Sequence, residues 1–74
     1  MIYVAIIKKG NKILQKDTMI RKTEAFDILK KEMELDRIRN KHTKAYLKMQ
    51  IQELKNRDKT ELGNIKYEIV SKDY

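Results

Sequence analysis

The sequence predicts an α+β fold, and three observations carry that prediction. The segment 23–62 contains neither glycine nor proline and is rich in good helix formers, which favours a helix. The residues before it, 1–22, combine a β-rich run with a Gly-Asn turn and predict an antiparallel β-hairpin. The residues after it, 63–70, alternate apolar and polar side chains and predict a strand, followed by a frayed tail over 71–74. The predicted order in one domain of residues 1–74 is ββαβ, or ββααβ if the helix folds back.

The hairpin prediction depends on one apolar run and one turn. The run Ile2 to Ile7 is apolar at successive positions and rich in β-branched residues, as in a strand that is covered on both faces. Gly10 and Asn11 suit the two central positions of a type II′ turn, which has a positive φ at the first. The return strand is predicted from Lys12 to Arg21, with a polar middle.

The predicted helix has a start signal and a stop signal. Thr23 is a residue type that caps helix N-termini, and Glu24 then lies near the positive end of the helix dipole. Gly63 and Asn64 follow Leu62 and belong to the residue types that close a helix in the left-handed conformation. We therefore expect the helix to run from 23 to 62.

The apolar residues of this helix fall on two different faces. At about 100° per residue, the apolar positions of both ends share one face and those of the middle share another. The first set is Phe26, Leu29, Met33, Leu47, Ile51, Leu54 and Leu62. The second set is Leu35, Ile38, His42, Ala45, Tyr46 and Met49. We expect the first set to pack on the sheet and the second set to form a dimer or interhelix contact.

Two architectures satisfy that pattern. In the first, one helix of about 60 Å packs its middle against a twofold partner, and its C-terminal strand joins the partner's hairpin in a domain-swapped homodimer. In the second, the chain turns near Asn40 to Thr43 and makes the same contacts as a helical hairpin. We expect the first architecture, because no glycine or proline interrupts residues 11–62.

Composition excludes several classes of protein. The chain has 74 residues and no cysteine, so we expect neither disulfides nor thiolate metal ligands. Its longest apolar run is too short to cross a bilayer, which predicts a cytoplasmic protein without membrane contact. A chain of this size buries only about 60% of its surface, so a core shared between subunits would stabilise it.

Catalytic signals are scarce. His42 is the only histidine, and the residues one helical turn from it carry no carboxylate that would orient its ring. The sequence also lacks a glycine-rich phosphate loop. We therefore expect no enzyme activity, no catalytic residue, no metal, no cofactor and no small-molecule substrate.

Charge distribution is the most informative feature. The formal net charge is +7, and seven basic residues fall in one sector of the helical wheel that contains no acidic residue. These residues are Lys30, Arg37, Lys41, Lys44, Lys48, Lys55 and Lys59. On a continuous helix they would form a stripe of about 44 Å. The hairpin lysines Lys8, Lys9 and Lys12 would add further basic contacts.

A basic stripe of that kind predicts binding to the backbone of DNA or RNA. Because lysine greatly outnumbers arginine here, the predicted binding is electrostatic and tolerant of sequence. The sequence is compatible with two alternatives. The lysines could simply solvate an exposed helix face, or the protein could be an interaction module, a small regulator or inhibitor, that binds an acidic partner surface. Net charge does not distinguish these alternatives.

Overall fold

The chain folds in the order ββααββ, with both helices on one face of a four-stranded antiparallel sheet. The computed structural model describes residues 1–73. The strands are β1 (Ile2–Lys9), β2 (Lys12–Met19), β3 (Lys59–Leu62) and β4 (Ile65–Lys72), and the helices are α1 (Lys22–Arg39) and α2 (Lys44–Arg57). The order across the sheet is β2-β1-β4-β3. The predicted α+β class is confirmed, whereas the order is neither ββαβ nor ββααβ.

The first hairpin forms where the sequence predicts it. Gly10 has a φ of 62°, the positive value that the first central position of the turn requires. A register shift at Ile7 and Lys8 leaves Leu14 without a partner in β1, so the hairpin contains a bulge. The return strand ends at Met19, two residues before the expected Arg21.

The expected continuous helix over 23–62 is wrong, because the chain breaks it between Asn40 and Thr43. Lys41 adopts a left-handed φ of 56°, which ends α1 without a glycine. Thr43 then caps α2, its hydroxyl accepting a hydrogen bond from the Tyr46 N–H at 3.1 Å. The side-chain amide of Asn40 donates to the carbonyl of Asp36 at 3.2 Å and satisfies the end of α1. The helical hairpin, our second architecture, is therefore the one that forms.

The caps of the two helices also differ from the expectation. Arg21 occupies the N-cap position of α1 without a side-chain cap bond, so Thr23 is not the cap. Asp58 ends α2 in the left-handed region with a φ of 60°, and its N–H donates to the carbonyl of Leu54 at 2.9 Å. The ammonium of Lys22 lies 2.9 Å from the Asp58 carboxylate and ties the start of α1 to the end of α2.

Gly63 and Asn64 form a second hairpin turn and do not close a helix. They connect β3 to β4, with Leu62 and Ile65 as the flanking pair of the ladder. Gly63 has a φ of 64°, close to that of Gly10 in the first hairpin. The two hairpins therefore use the same Gly-Asn dipeptide at the same place.

The core lies between the helices and one face of the sheet. The helices contribute Ala25, Leu29, Met33 and Leu54, and the sheet contributes Ala5, Ile7, Leu62, Ile65, Tyr67 and Ile69. Phe26, Leu47 and Ile51 pack against its border. The predicted alternation of Ile65, Tyr67 and Ile69 toward one buried face of β4 is confirmed.

The C-terminal residues Ser71 and Lys72 continue the last strand of the sheet. β4 extends to Lys72, so the tail predicted to fray over 71–74 is part of the strand at its first two residues. Tyr74 lies outside the described residues. The domain swap was inferred from one long helix, and a chain that folds back on itself removes that premise. The homodimer stays a prediction.

Candidate nucleic-acid interface

The basic residues of each helix lie together on one side of it. On α2, Lys44, Lys48 and Lys55 fall within about 40° of one another at 3.6 residues per turn. On α1, Lys30 and Arg37 are about 20° apart by the same geometry. The four lysines are exposed and Arg37 is half-buried.

These two basic sides flank the groove between the helices. Phe26 and Asp27 of α1 and Leu54 and Lys55 of α2 line a depression where the start of α1 meets the end of α2. Around α1, Phe26 lies within about 40° of both Lys30 and Arg37, so those two residues are on the side that faces α2. Of the five residues, Lys55 lines this depression, and Lys30 and Arg37 lie on the side of α1 that faces it. Lys48 lines a second depression on α2, together with Ala45 and Met49.

The turn between the helices adds a sixth basic residue. Lys41 is exposed in this turn. The guanidinium of Arg37 donates to the carbonyl of His42 at 3.4 Å, so Arg37 also supports the turn. From Arg37 to Gln52 the sequence contains no aspartate or glutamate. Asp27 is at the opposite end of the groove. The positive potential is therefore greatest at the turn end.

Lys59, the seventh residue of the predicted stripe, lies on a different surface. Thr60 and Leu62 of β3 are buried toward the helices, so Lys59 projects from the other face of the sheet. Lys8 projects from that face too, because its neighbour Ile7 belongs to the core. The predicted stripe of about 44 Å is wrong, since the longest dimension of the chain is 39 Å.

The hairpin turn carries the two other lysines that were predicted as additional contacts. Lys9 and Lys12 are both exposed and flank the Gly10 turn as a directly opposite pair. They lie at the end of β1 and the start of β2, outside the interhelix groove. The structure therefore places none of the hairpin lysines with the helical set.

The six residues predicted to form the dimer or interhelix contact do not come together. The rings of His42 and Tyr46 meet edge to face with centroids 5.3 Å apart, and the Gly63 N–H donates to the Tyr46 hydroxyl at 3.1 Å. These two residues therefore pack on the β3–β4 turn. Leu35 is about 180° from Phe26 around α1 and faces away from α2, so it does not meet Met49. Leu35, Ile38, Ala45 and Met49 are all exposed.

Sequence reasoning missed a buried polar network beneath the helices. Asp36 is 7% exposed, and its carboxylate accepts from the Tyr67 hydroxyl at 2.5 Å and from the Arg39 guanidinium at 3.0 Å. Burial raises the pKa of Tyr67 far above its usual range, and the hydrogen bond to Asp36 acts in the same direction. The available signal was spacing, because Asp36 continues the buried face of Leu29 and Met33. The network joins α1 to β4 and is structural.

Comparisons with protein-family models, curated proteins and solved structures find no match to this chain. Within residues 1–73, no group of three histidine, cysteine or acidic side chains is arranged to hold a metal ion. No helix in that same range has both the length and the apolar character needed to cross a membrane. The fold and the basic groove are therefore the observations on which a function can be argued.

Proposed function

We propose that this protein binds the sugar-phosphate backbone of a nucleic acid through the groove between α1 and α2. One observation carries the proposal: the helical hairpin gathers basic side chains around a turn, and the sequence from Arg37 to Gln52 contains no acidic residue. The contact set comprises Lys30, Arg37, Lys41, Lys44, Lys48 and Lys55. The proposal places the protein in the cytoplasm, where nucleic acid is accessible to it.

Lysine chemistry defines the kind of recognition. An ammonium group on a flexible stem meets a phosphate as a point charge and does not read a base edge. Arg37, the one guanidinium in the set, is already bound to the carbonyl of His42. Binding is therefore tolerant of sequence, and its free energy comes largely from release of the counterions condensed on DNA or RNA.

A salt titration with charge-reversal variants tests the proposal. Fluorescence anisotropy would measure binding to a labelled DNA duplex, a DNA single strand and an RNA hairpin. With about four phosphate contacts, a fourfold rise in salt weakens duplex binding about a hundredfold. The variant Lys41→Glu/Lys44→Glu/Lys48→Glu is expected to lose binding to all three probes while its circular dichroism spectrum is unchanged, because these side chains are exposed.

The matched control is Lys8→Glu/Lys16→Glu/Lys72→Glu, which changes the net charge by the same amount at sites on the strands. It should retain duplex binding within about threefold of the wild type at near-physiological salt, where charges beyond about 8 Å are screened. Equal losses in both variants would show that net charge alone drives binding. Unchanged binding by the helical variant would exclude the groove.

We also propose that the protein acts as a homodimer. Ile38 and Met49 are 63% and 67% exposed, although both belong to the set that the sequence assigns to a contact. A second copy packed on the outer surface of the helices would remove these side chains from water.

A further inference from the structure

The face of the sheet opposite the helices has its own pattern of side chains. Residues directly opposite each other on neighbouring strands share a face, so the ladders arrange that face in rows. One row is Thr18, Val4 and Val70; the next is Lys16, Ile6, Glu68 and Lys59; the next is Ile13, Lys8, Lys66 and Glu61. Ile2 and Lys72 form a pair beyond the first row. We call this surface the open face.

The centre of the open face is apolar. Ile2, Val4 and Ile6 from β1 adjoin Val70 from β4, and these are the two inner strands of the sheet. Val4 is only 2% exposed, yet it lies outside the core beneath the helices, so it forms the floor of this patch. The other three are half-buried. The sequence predicts a β1 covered on both faces, and the helices cover only one.

The rim of the patch has an excess of positive charge. Two of its lysines face acids directly across the ladder, in the pairs Lys59 with Glu68 and Lys66 with Glu61. The other three, Lys8, Lys16 and Lys72, lie opposite Lys66, Ile6 and Ile2. Five lysines against two glutamates give the open face a net charge of +3.

The pairing of Lys8 with Lys66 has a physical cost. Like charges directly opposite on one face destabilise a sheet. The ion pairs found within residues 1–73 are Lys22 with Asp58 and Arg39 with Asp36, so neither lysine of this pair is neutralised by one. An acidic group that approaches the open face from outside would relieve this repulsion.

We propose that the open face is a docking surface for an acidic, amphipathic segment of a partner protein. Apolar side chains of that segment would cover Ile2, Ile6 and Val70, and its carboxylates would pair with Lys8, Lys16 and Lys72. Burial of the patch would supply affinity, while the charged rim would set orientation and speed association. This surface is separate from the interhelix groove, so the inference is independent of the nucleic-acid proposal.

Two other occupants fit the open face less well. A second copy packed face to face would bring one +3 surface against another. A nucleic acid would gain nothing from an apolar floor, and the assigned rows of the face, all within residues 1–73, contain neither an aromatic ring for stacking nor a guanidinium. An acidic, amphipathic protein segment complements both the positive rim and the apolar centre of the open face.

A designed peptide pair tests the inference. The probe is a helical peptide with a leucine stripe flanked by glutamates, and its control replaces each glutamate with lysine. In the ¹⁵N-labelled full chain, the acidic peptide is expected to shift the amide resonances of β1 and β4 and the lysine peptide to shift none. The variant Lys8→Glu/Lys16→Glu/Lys72→Glu is expected to weaken binding about tenfold or more, because three charge pairs are lost.

A second variant separates the apolar floor from the rim. Ile6→Thr/Val70→Thr keeps β-branched residues in both strands, so the sheet should stay folded. The loss of apolar surface should lower the affinity for the acidic peptide several-fold. The helical variant Lys41→Glu/Lys44→Glu/Lys48→Glu has the same net charge as Lys8→Glu/Lys16→Glu/Lys72→Glu, but its changes lie outside the open face. It should therefore bind this peptide within about twofold of the wild type. Shifts confined to the helices, equal binding of both peptides, or competition by duplex DNA would each overturn the inference. Self-association through β1 and β4 without peptide would assign the face to a second copy instead.

Discussion

The hydroxyl of Tyr67 is buried against the carboxylate of Asp36, and this contact is one cause of instability in alkali. Tyr67 has no exposed surface, and burial is the largest cause of its raised pKa. Ionising the phenol in place would put a second negative charge beside Asp36 in a region of low dielectric. The folded state therefore keeps this proton at a pH where the unfolded chain releases it.

This difference predicts alkaline destabilisation. The unfolded-state pKa is near 10.0, so the contribution of Tyr67 is complete below pH 10 and is lost as the pH rises above it. A single retained proton lowers the free energy of unfolding by about 1.4 kcal/mol per pH unit there. Urea unfolding between pH 8 and pH 11 would measure this slope.

Tyr67→Phe is the control for the alkaline slope. It removes the titrating group and should flatten the slope above pH 10. At neutral pH it should cost about 1–3 kcal/mol, because Asp36 loses a buried hydrogen-bond donor. Identical slopes for the two proteins would assign the alkaline transition to other groups.

At the scale of elements, the two Gly-Asn turns form a matched pair. Gly10 and Gly63 have φ values of 62° and 64°, so alanine would be strained by a positive φ at either position. A Cβ at Gly10 would meet nothing within 4 Å, whereas one at Gly63 would lie 3.0 Å from Nε2 of His42. We expect Gly10→Ala to cost about 1 kcal/mol of stability and Gly63→Ala about 1–3 kcal/mol more.

A double mutant checks that His42 causes the difference. His42→Ala removes the ring that the new methyl group would contact, so Gly63→Ala should cost no more than Gly10→Ala in that background. The free energies of unfolding of the single and double mutants give the coupling. An excess cost that persists without the ring would place the strain in the backbone of the second hairpin.

The same dipeptide shows where sequence reasoning succeeds for elements and where it fails. Gly10 and Asn11 lie between two β-rich runs, and only a hairpin turn fits that context. Gly63 and Asn64 follow a long helical pattern, where a helix cap and a hairpin turn use the same residues. The four residues of β3 are too few for alternation to outweigh the helical pattern before them.

The helix break was hidden for a related reason. Lys41 and Asp58 adopt left-handed conformations in which glycine or asparagine is the usual residue. The sequence therefore contains no glycine or asparagine signal at these two positions, where α1 and α2 end. Thr43 is the one residue there with a clear capping role, and it marks the site of the turn that our second architecture used. Tertiary packing decided between the two architectures, and the helical wheel contains no information about it.

The sequence predicts which basic residues lie together, but it does not predict the shape of the surface that they form. Six of the seven stripe residues lie on the helices or in the turn between them, as the wheel grouped them. Folding back changes one long stripe into two facing walls, and it removes Lys59 to the other face of the sheet. The surplus lysines of the open face come from β1, β2 and β4, so their grouping depends on strand register.

For the whole molecule, the proposed homodimer is directly testable. Light scattering after gel filtration should give twice the chain mass of 8.9 kDa for the wild type. Met49→Glu and Ile38→Glu should each give a folded monomer, because a carboxylate on the helix surface opposes burial of that surface. A Lys12→Glu variant, at the exposed turn of the first hairpin and away from the helices, serves as the control. A wild type that elutes as a folded monomer at all concentrations would exclude the homodimer.

The position of β4 beside β1 has a consequence for biosynthesis. Both hairpins pair residues close in sequence, whereas the ladder between β1 and β4 joins Ile2 to Lys72. At about 5–20 residues per second, a ribosome needs roughly 3–12 seconds to add the residues between these strands. During that interval β1 is apolar on both faces and has one unpaired edge, the condition in which nascent strands aggregate. Lys8, Lys9 and Lys12, at the turn that ends β1, are charges of the kind that oppose pairing of such an edge with another chain.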